Sequence, residues 1–298
     1  MKKLLIVSIL LLAMMHSTLS AKEKTMEELS KEMSNPLAQI WNLSFQNNYT
    51  TVKADKNILG TDVSGKDHVN TTLFQPVLPI PLKNGMTAFA RPVFTYIDAP
   101  TGVGIHVDNP MEATAFGKNR EAKLGDLILP MGVGVVKMKG WSYGIGATFI
   151  FPTSQHKTIA SHQYQAGPTV LALYANEDFT IGTHIQQWWG IAHDGNDEHK
   201  NDTFANHTDI QYFVIYNLPH AWQLRASPHI TVNWKASGGN KLTLPLAFGV
   251  GKMVKIGSMP VQLMAEYQKA IIKPDYITSE DTIMIQANFI IKNPFGKL

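Results

Sequence analysis

Six ionisable residues fall where an alternating chain turns them to one side: Arg91, Asp126, His184, Arg225, His229 and Glu266. Gln186, Gln223, Gln262 and Gln286 share that parity. Charges turned inward are costly unless they are paired or hydrated. Two uses meet that condition: an ion-pair network that braces a wall, and a polar constriction that selects solutes. Both can hold at once, and these six are the candidate pore-lining residues.

Other clusters carry chemistry-bearing atoms but no recognisable machinery. Between His193 and Asp209 lie Asp194, Asp197, Glu198, His199, Asp202 and His207. The spacing matches no calcium loop, because His199 stands where the obligatory glycine belongs. It reads as a solvated external loop to which spacing assigns no metal. His156, Ser161 and His162 are the residue types of a serine hydrolase, without the nucleophile elbow or any lipase motif. The pairs Gly132/Gly134, Gly144/Gly146 and Gly249/Gly251 form no G-x-G-x-x-G loop, which excludes a dinucleotide site of that kind. Spaced by two, these glycines lie on the inward face and leave room there. No catalytic residue and no cofactor is expected. The N-x-[ST] triplets at Asn42, Asn48, Asn70, Asn201 and Asn206 carry little meaning in a chain of bacterial appearance.

The elements that must position these residues are strands. From Ala221 to Trp234, Trp222, Leu224, Ala226, Pro228, Ile230, Val232 and Trp234 face one way, and Gln223, Arg225, Ser227, His229, Thr231 and Asn233 the other. A long strand that is apolar on one face and polar on the other suits a wall between lipid and water. The pattern recurs at about 40–50, 70–82, 86–97, 124–137, 141–152, 163–174, 178–191, 207–217, 221–234, 242–254, 258–269 and 281–292. Short turns stand at 83–85, 137–140, 176–178, 217–220 and 254–257, with Asn84-Gly85 the strongest hairpin signal. Longer polar links at 51–69, 98–123, 153–162, 192–206, 235–241 and 270–280 alternate with them, as in outer-membrane barrels. The expected fold is all-β: a transmembrane antiparallel up-and-down barrel of about twelve strands, both termini on the periplasmic side, with a short N-terminal helix.

Lipid-facing positions are Trp141, Tyr143, Ile145, Ala147, Phe149 and Phe151, then Leu242, Leu244, Leu246, Phe248 and Val250, then Val261, Leu263, Ala265 and Tyr267. Trp41, Tyr49, Tyr96, Trp141, Tyr164, Tyr174, Trp189, Trp222 and Trp234 sit near segment ends, as interfacial girdles require. The closing strand, Ile283, Ile285, Ala287, Phe289 and Ile291 with Phe295 in phase, is of the type that barrel-assembly machinery reads, although Gly296-Lys297-Leu298 extends past it. Pro76, Pro79, Pro81, Pro92, Pro130, Pro168, Pro228 and Pro245 fall inside strands, where proline removes a ladder bond. Bulges, or strand ends beyond the bilayer, are expected at these prolines.

Lys2 and Lys3, the apolar run Leu4–Met15 and small residues near Ser20 and Ala21 make residues 1–20 a secretory signal peptide, cleaved after Ser20 or Ala21. Residues 21–38 form a leader in which Thr25-Met-Glu-Glu28 opens a helix as a capping box. That leader is either a periplasmic tail or a helix at the pore mouth. The barrel occupies 39–298. The formal charge of +3 includes Lys2 and Lys3, so nucleic acid is not an expected partner. The absence of cysteine leaves stability to sheet closure and packing.

"NPLAQIWNLSFQNNYT" (35–50), "FQPVLPIPL" (74–82), "SPHITVNWKASGGNKLTLPLAFGVGKMVKIGSMPVQL" (227–263) and the late "NPF" resemble a bacterial outer-membrane transporter family. That family is linked to phenol meta-pathway degradation, and its members sometimes carry the label neuromedin U. The likeness spans nearly the whole mature chain and is densest from Ser227 to Tyr267. It implies a barrel in the outer membrane of a Gram-negative cell that passes small solutes, aromatic or hydrophobic ones included. It brings no catalytic motif. The expected partners are outer-membrane lipid, the barrel-assembly machinery and a small-molecule solute; oligomeric state is left open. An outer-membrane lipid hydrolase and a plugged structural or adhesive barrel are the alternatives.

Overall fold

The computed structural model describes residues 24–35, 37–58, 61–100, 103–109, 112–116, 119–154, 156, 159–196, 198–275 and 277–295. The signal segment and its cleavage point, Asp197 and the tail Gly296-Lys297-Leu298 lie outside them. No described helix is long and apolar enough to cross a membrane.

Twelve wall strands close on themselves. In chain order they are β1 (Trp41–Ile58) and β2 (Thr61–Val77, prolonged by Ile80–Pro81). Next come β3 (Met86–Ala90 and Phe94–Pro100) and β4 (Arg120–Leu124 and Leu127–Val135). Then follow β5 (Gly140–Phe151), β6 (Gln163–Ala175), β7 (Phe179–His193) and β8 (Asn206–Leu218). Last are β9 (Trp222–Ala226 and His229–Asn233), β10 (Leu242–Ile256), β11 (Met259–Ile272) and β12 (Ile277–Ile291). Each pairs antiparallel with the next, and β12 returns to β1 from Trp41↔Ile291 to Ala54↔Ile277. Closure removes the free edges that an open sheet exposes. A hairpin of Val103–Asn109 and Glu112–Phe116 rises from the β3–β4 link and touches β2 at Val63↔Ala113.

Side-chain parity sorts the two faces as the alternation requires. Trp141, Tyr143 and Ile145 are about 60% exposed on β5, whereas Ser142 and Thr148 on the same strand are fully buried. Leu246 and Phe248 are exposed in the same way on β10. Val261 departs from this pattern: flanked by its register partners Val254 and Phe289, it is 1% exposed. The 51–69 link is strand rather than loop, since β1 and β2 stay paired from Asn42↔Val77 to Ile58↔Thr61.

Of the two arrangements expected at the prolines, bulges are the exception. Across β2 and β3 the register runs unshifted through Asn70↔Asp98, Phe74↔Phe94 and Ile80↔Ala88, past Pro76, Pro79 and Pro92. Across Pro228, Val214↔Ala226 and Gln211↔His229 also belong to one register. Pro245, by contrast, sits at a register shift in β10. The ladder therefore drops single bonds at most prolines and inserts no extra residue there. At Pro228 the neighbouring donor is satisfied from within, because Ser227 N donates to Glu266 Oε2 at 2.9 Å.

The helix α1 (Met26–Met33) opens with the expected capping box: Glu28 N donates to Thr25 Oγ1 and Thr25 N to Glu28 Oε2. It crosses the short-turn mouth. His220 N, in the β8–β9 turn, donates to Glu27 Oε1 at 2.8 Å, and Asn35 Nδ2 reaches Ser142 Oγ on β5 at 3.1 Å. Gln39 Nε2 reaches Thr87 Oγ1 on β3. Leu37 is the apolar anchor, 1% exposed and clustered with Leu171, Leu173, Ala175 and Phe213. Gly134 makes that position possible, since a Cβ there would stand 2.8 Å from Leu37 Cδ1.

Candidate functional site

Above the leader lies a cavity of about 460 Å³ inside the barrel. Its floor is Met33, Ser34, Asn35, Leu37, Ala38 and Ile40, and its walls are the inward positions of most strands. β1 contributes Asn42, Ser44, Gln46, Asn48 and Thr50, two residues apart, and β12 answers with Thr282, Met284, Gln286 and Asn288. Amides on neighbouring strands join into one chain of hydrogen bonds. Gln286 Nε2 donates to Ser44 Oγ and Asn288 Oδ1, Asn288 Nδ2 to Gln262 Oε1, and Gln262 Nε2 to Gln223 Oε1. Gln223 Nε2 then donates to Ser30 O and Ser34 Oγ of the leader at 3.0 and 2.8 Å. Buried amides of this kind are stable only when satisfied, and here each satisfies the next.

A charged belt lies across the same cavity. Arg91 occupies the gap between the two pieces of β3, its backbone N–H donating to Pro130 O at 3.0 Å. His184, Gln211 and His229 are register neighbours on β7, β8 and β9. His229 Nδ1 lies 2.8 and 3.0 Å from the two carboxylate oxygens of Asp209, while His184 Nε2 is 2.7 Å from Thr169 Oγ1. Arg225 lines the cavity from β9, and its Nε is buried with no hydrogen-bond partner among the described residues. Gly249 on β10 is the register partner of both Arg225 and Glu266. A Cβ at Gly249 would stand 2.8 Å from that of Glu266, so the glycine keeps open the gap across which the arginine and the carboxylate interact.

Of the six residues proposed from sequence, Arg91, His184, Arg225 and His229 face this cavity. Glu266 is 3% exposed and spent on the wall, accepting from Ser227 N, Ser227 Oγ and Gln268 Nε2. Asp126 lies at the long-loop end, where Oδ1 accepts Ser154 N and Oδ2 accepts Ser161 N, each at 2.9 Å, so it anchors the 153–162 loop. Asp209, grouped by sequence with the loop ligands, belongs to β8 and turns into the cavity with Gln211, Phe213 and Ile215. Its parity with those three is the signal that assigns it. Trp188 and Leu171 are apolar and yet inward; nothing in an alternating pattern marks them.

At the long-loop end, the residue types of a serine hydrolase are engaged with other partners. Ser161 Oγ donates to Gln163 O at 3.2 Å, and His162 pairs with Asp194 rather than with a serine. What the cavity offers is hydrogen-bonding and charged groups facing an enclosed space.

No family model and no curated protein matches the chain. Among solved structures it is similar to an outer-membrane channel from Pseudomonas putida F1, at 10% identity and a TM-score of 0.55, over 84% of this chain and 95% of that one. The NanC porin aligns over 84% of this chain and 99% of its own at 12% identity and a TM-score of 0.48. The CymD monoaromatic hydrocarbon channel aligns over 88% and 92% at 9% identity and a TM-score of 0.41. The chain thus has the β-barrel fold of the Pseudomonas putida channel.

Proposed function

We propose that this protein is an outer-membrane barrel that acts as a channel or facilitator for small solutes. The observation that carries this reading is a closed wall, apolar outside, around a cavity lined by amides, arginines and histidines. An eight-stranded barrel fills its interior with side chains, and sixteen strands leave an aqueous channel. Twelve give a narrow bore in which few side chains set selectivity. Aromatic or hydrophobic solutes, the class implied by the sequence resemblance, are the first to test. The shared fold with an outer-membrane channel supports the same location.

The leader across the short-turn mouth favours a second state of the same channel, in which α1 stoppers the bore. Liposome swelling with purified full-length barrel tests both states against sugars, amino acids and aromatic acids. Swelling that depends on solute size and class is expected. Impermeability that persists after residues 24–38 are removed would instead establish a plugged structural barrel.

A further inference from the structure

Three ligating side chains converge at the long-loop rim, away from the bore. His162 directly precedes β6 and Asp194 directly follows β7, just beyond the last register pair of those strands, Gln163↔His193. Asp194 N donates to His162 O at 3.0 Å, so both residues are held by paired strand ends. His162 takes a left-handed backbone, φ 52°, uncommon for a residue with a side chain. Its Nδ1 lies 2.9 Å from Asp194 Oδ2. His199 arrives from the β7–β8 loop and stacks on His162 with ring centroids 3.7 Å apart and planes 12° apart. One ligand atom from each of the three residues lies within 4.8 Å of the others. The group is half-buried and open to solvent on one side.

We propose that His162, Asp194 and His199 form a binding site for a divalent transition-metal ion, with Asp202 as the outer partner of His199. Two imidazoles and one carboxylate are the donor set of zinc, nickel or copper rather than of calcium or magnesium, which take oxygen. Metal–nitrogen and metal–oxygen distances of about 2.0–2.2 Å require donors roughly 3 Å apart. The His162–Asp194 pair already meets that separation. Asp202 Oδ2 lies 3.1 Å from His199 Nδ1 and holds that nitrogen, so Nε2 is the atom left for the ion, and binding turns the His199 ring out of its stack on His162 to bring the two lone pairs together. A carboxylate behind a ligating histidine is the usual way to fix its tautomer. The open side leaves a corner for water. A bound ion would tie the β7–β8 loop to the start of β6.

Calorimetric titration of full-length barrel in detergent with zinc or nickel chloride tests the site. One saturable ion per barrel is expected, with affinity weakened about 10- to 100-fold by Asp202→Asn. His162→Gln with His199→Ala should abolish saturable binding, while His68→Ala leaves it unchanged. Copper bound to the wild type should show nitrogen hyperfine lines that the double variant lacks. Heat-modifiable migration on gels identifies the variants that remain folded, and the glutamine keeps a donor to Asp194 for that purpose. Absence of saturable binding by the wild type overturns the proposal, and so does a folded double variant that binds as tightly as wild type.

Discussion

Replacing Leu37 with alanine asks how firmly the leader is seated. The side chain is 1% exposed and packs into the cluster of Leu171, Leu173 and Phe213, with Phe89 beside it. Truncating a leucine so buried costs about 2–5 kcal/mol, the transfer term plus the void left behind. Leu37 belongs to the leader and not to the ladder, so the loss falls on docking of the leader while wall pairing stays as it was. A loss of about 3 kcal/mol shifts a docked-to-undocked ratio roughly a hundredfold, at about 1.4 kcal/mol per decade. Single-channel recording in planar bilayers reads the change directly. The wild type should dwell in a low-conductance state, and Leu37→Ala should open often, to the same level as a barrel lacking residues 24–38. Identical traces for wild type, Leu37→Ala and the deletion, all from heat-modifiable barrels, would refute the idea that the leader obstructs flow.

Further outcomes follow from the belt and the wall. Replacing Arg91 and Arg225 with alanine should change single-channel conductance or ion preference; no change in either would remove both residues from the constriction. Glu266→Ala leaves Ser227 N and Oγ without their acceptor next to Pro228, a loss of about 1–3 kcal/mol for buried unsatisfied groups, read as a lower denaturant midpoint. Phe248→Arg places a charge on the outer face, where Phe248 is 65% exposed; at the bilayer midplane this costs about 2–4 kcal/mol, and reversible folding into vesicles measures it. Gly249→Val should destabilise the barrel as well, because even a Cβ there meets Ala265 O at 2.5 Å.

The wall was legible in the sequence because lipid and water impose a period of two that each strand repeats. Asn84-Gly85 marked its turn, and Gly85 adopts φ 74° there, a conformation glycine takes without strain. What alternation cannot report is height along the bore. Asp126 has inward parity but lies at the rim, while Glu266 has the same parity and is absorbed by the break at Pro228. Nor does it report what meets an inward residue. Leu171 and Phe213 face inward because Leu37 comes to cover them, and that contact joins segments far apart in the chain. Pro228 misled for a related reason: the sequence shows a missing N–H, and the fold gives the neighbouring Ser227 N–H an acceptor on another strand, Glu266 Oε2.

The pair β1 and β2 is longer than any bilayer needs. β1 alone has 18 residues. At a rise of about 3.3 Å per residue it extends about 60 Å. Tilted by about 40°, it still gains roughly 45 Å of height. The apolar band of such a barrel is only about 25 Å tall. With Trp41 at the short-turn end, the excess stands on the far side as a paired ribbon, joined by the hairpin that ends at Phe116. In the proposed outer-membrane setting, with the short turns on the periplasmic side, this turret is the first part of the protein that a phage, an antibody or a protease in the medium would encounter.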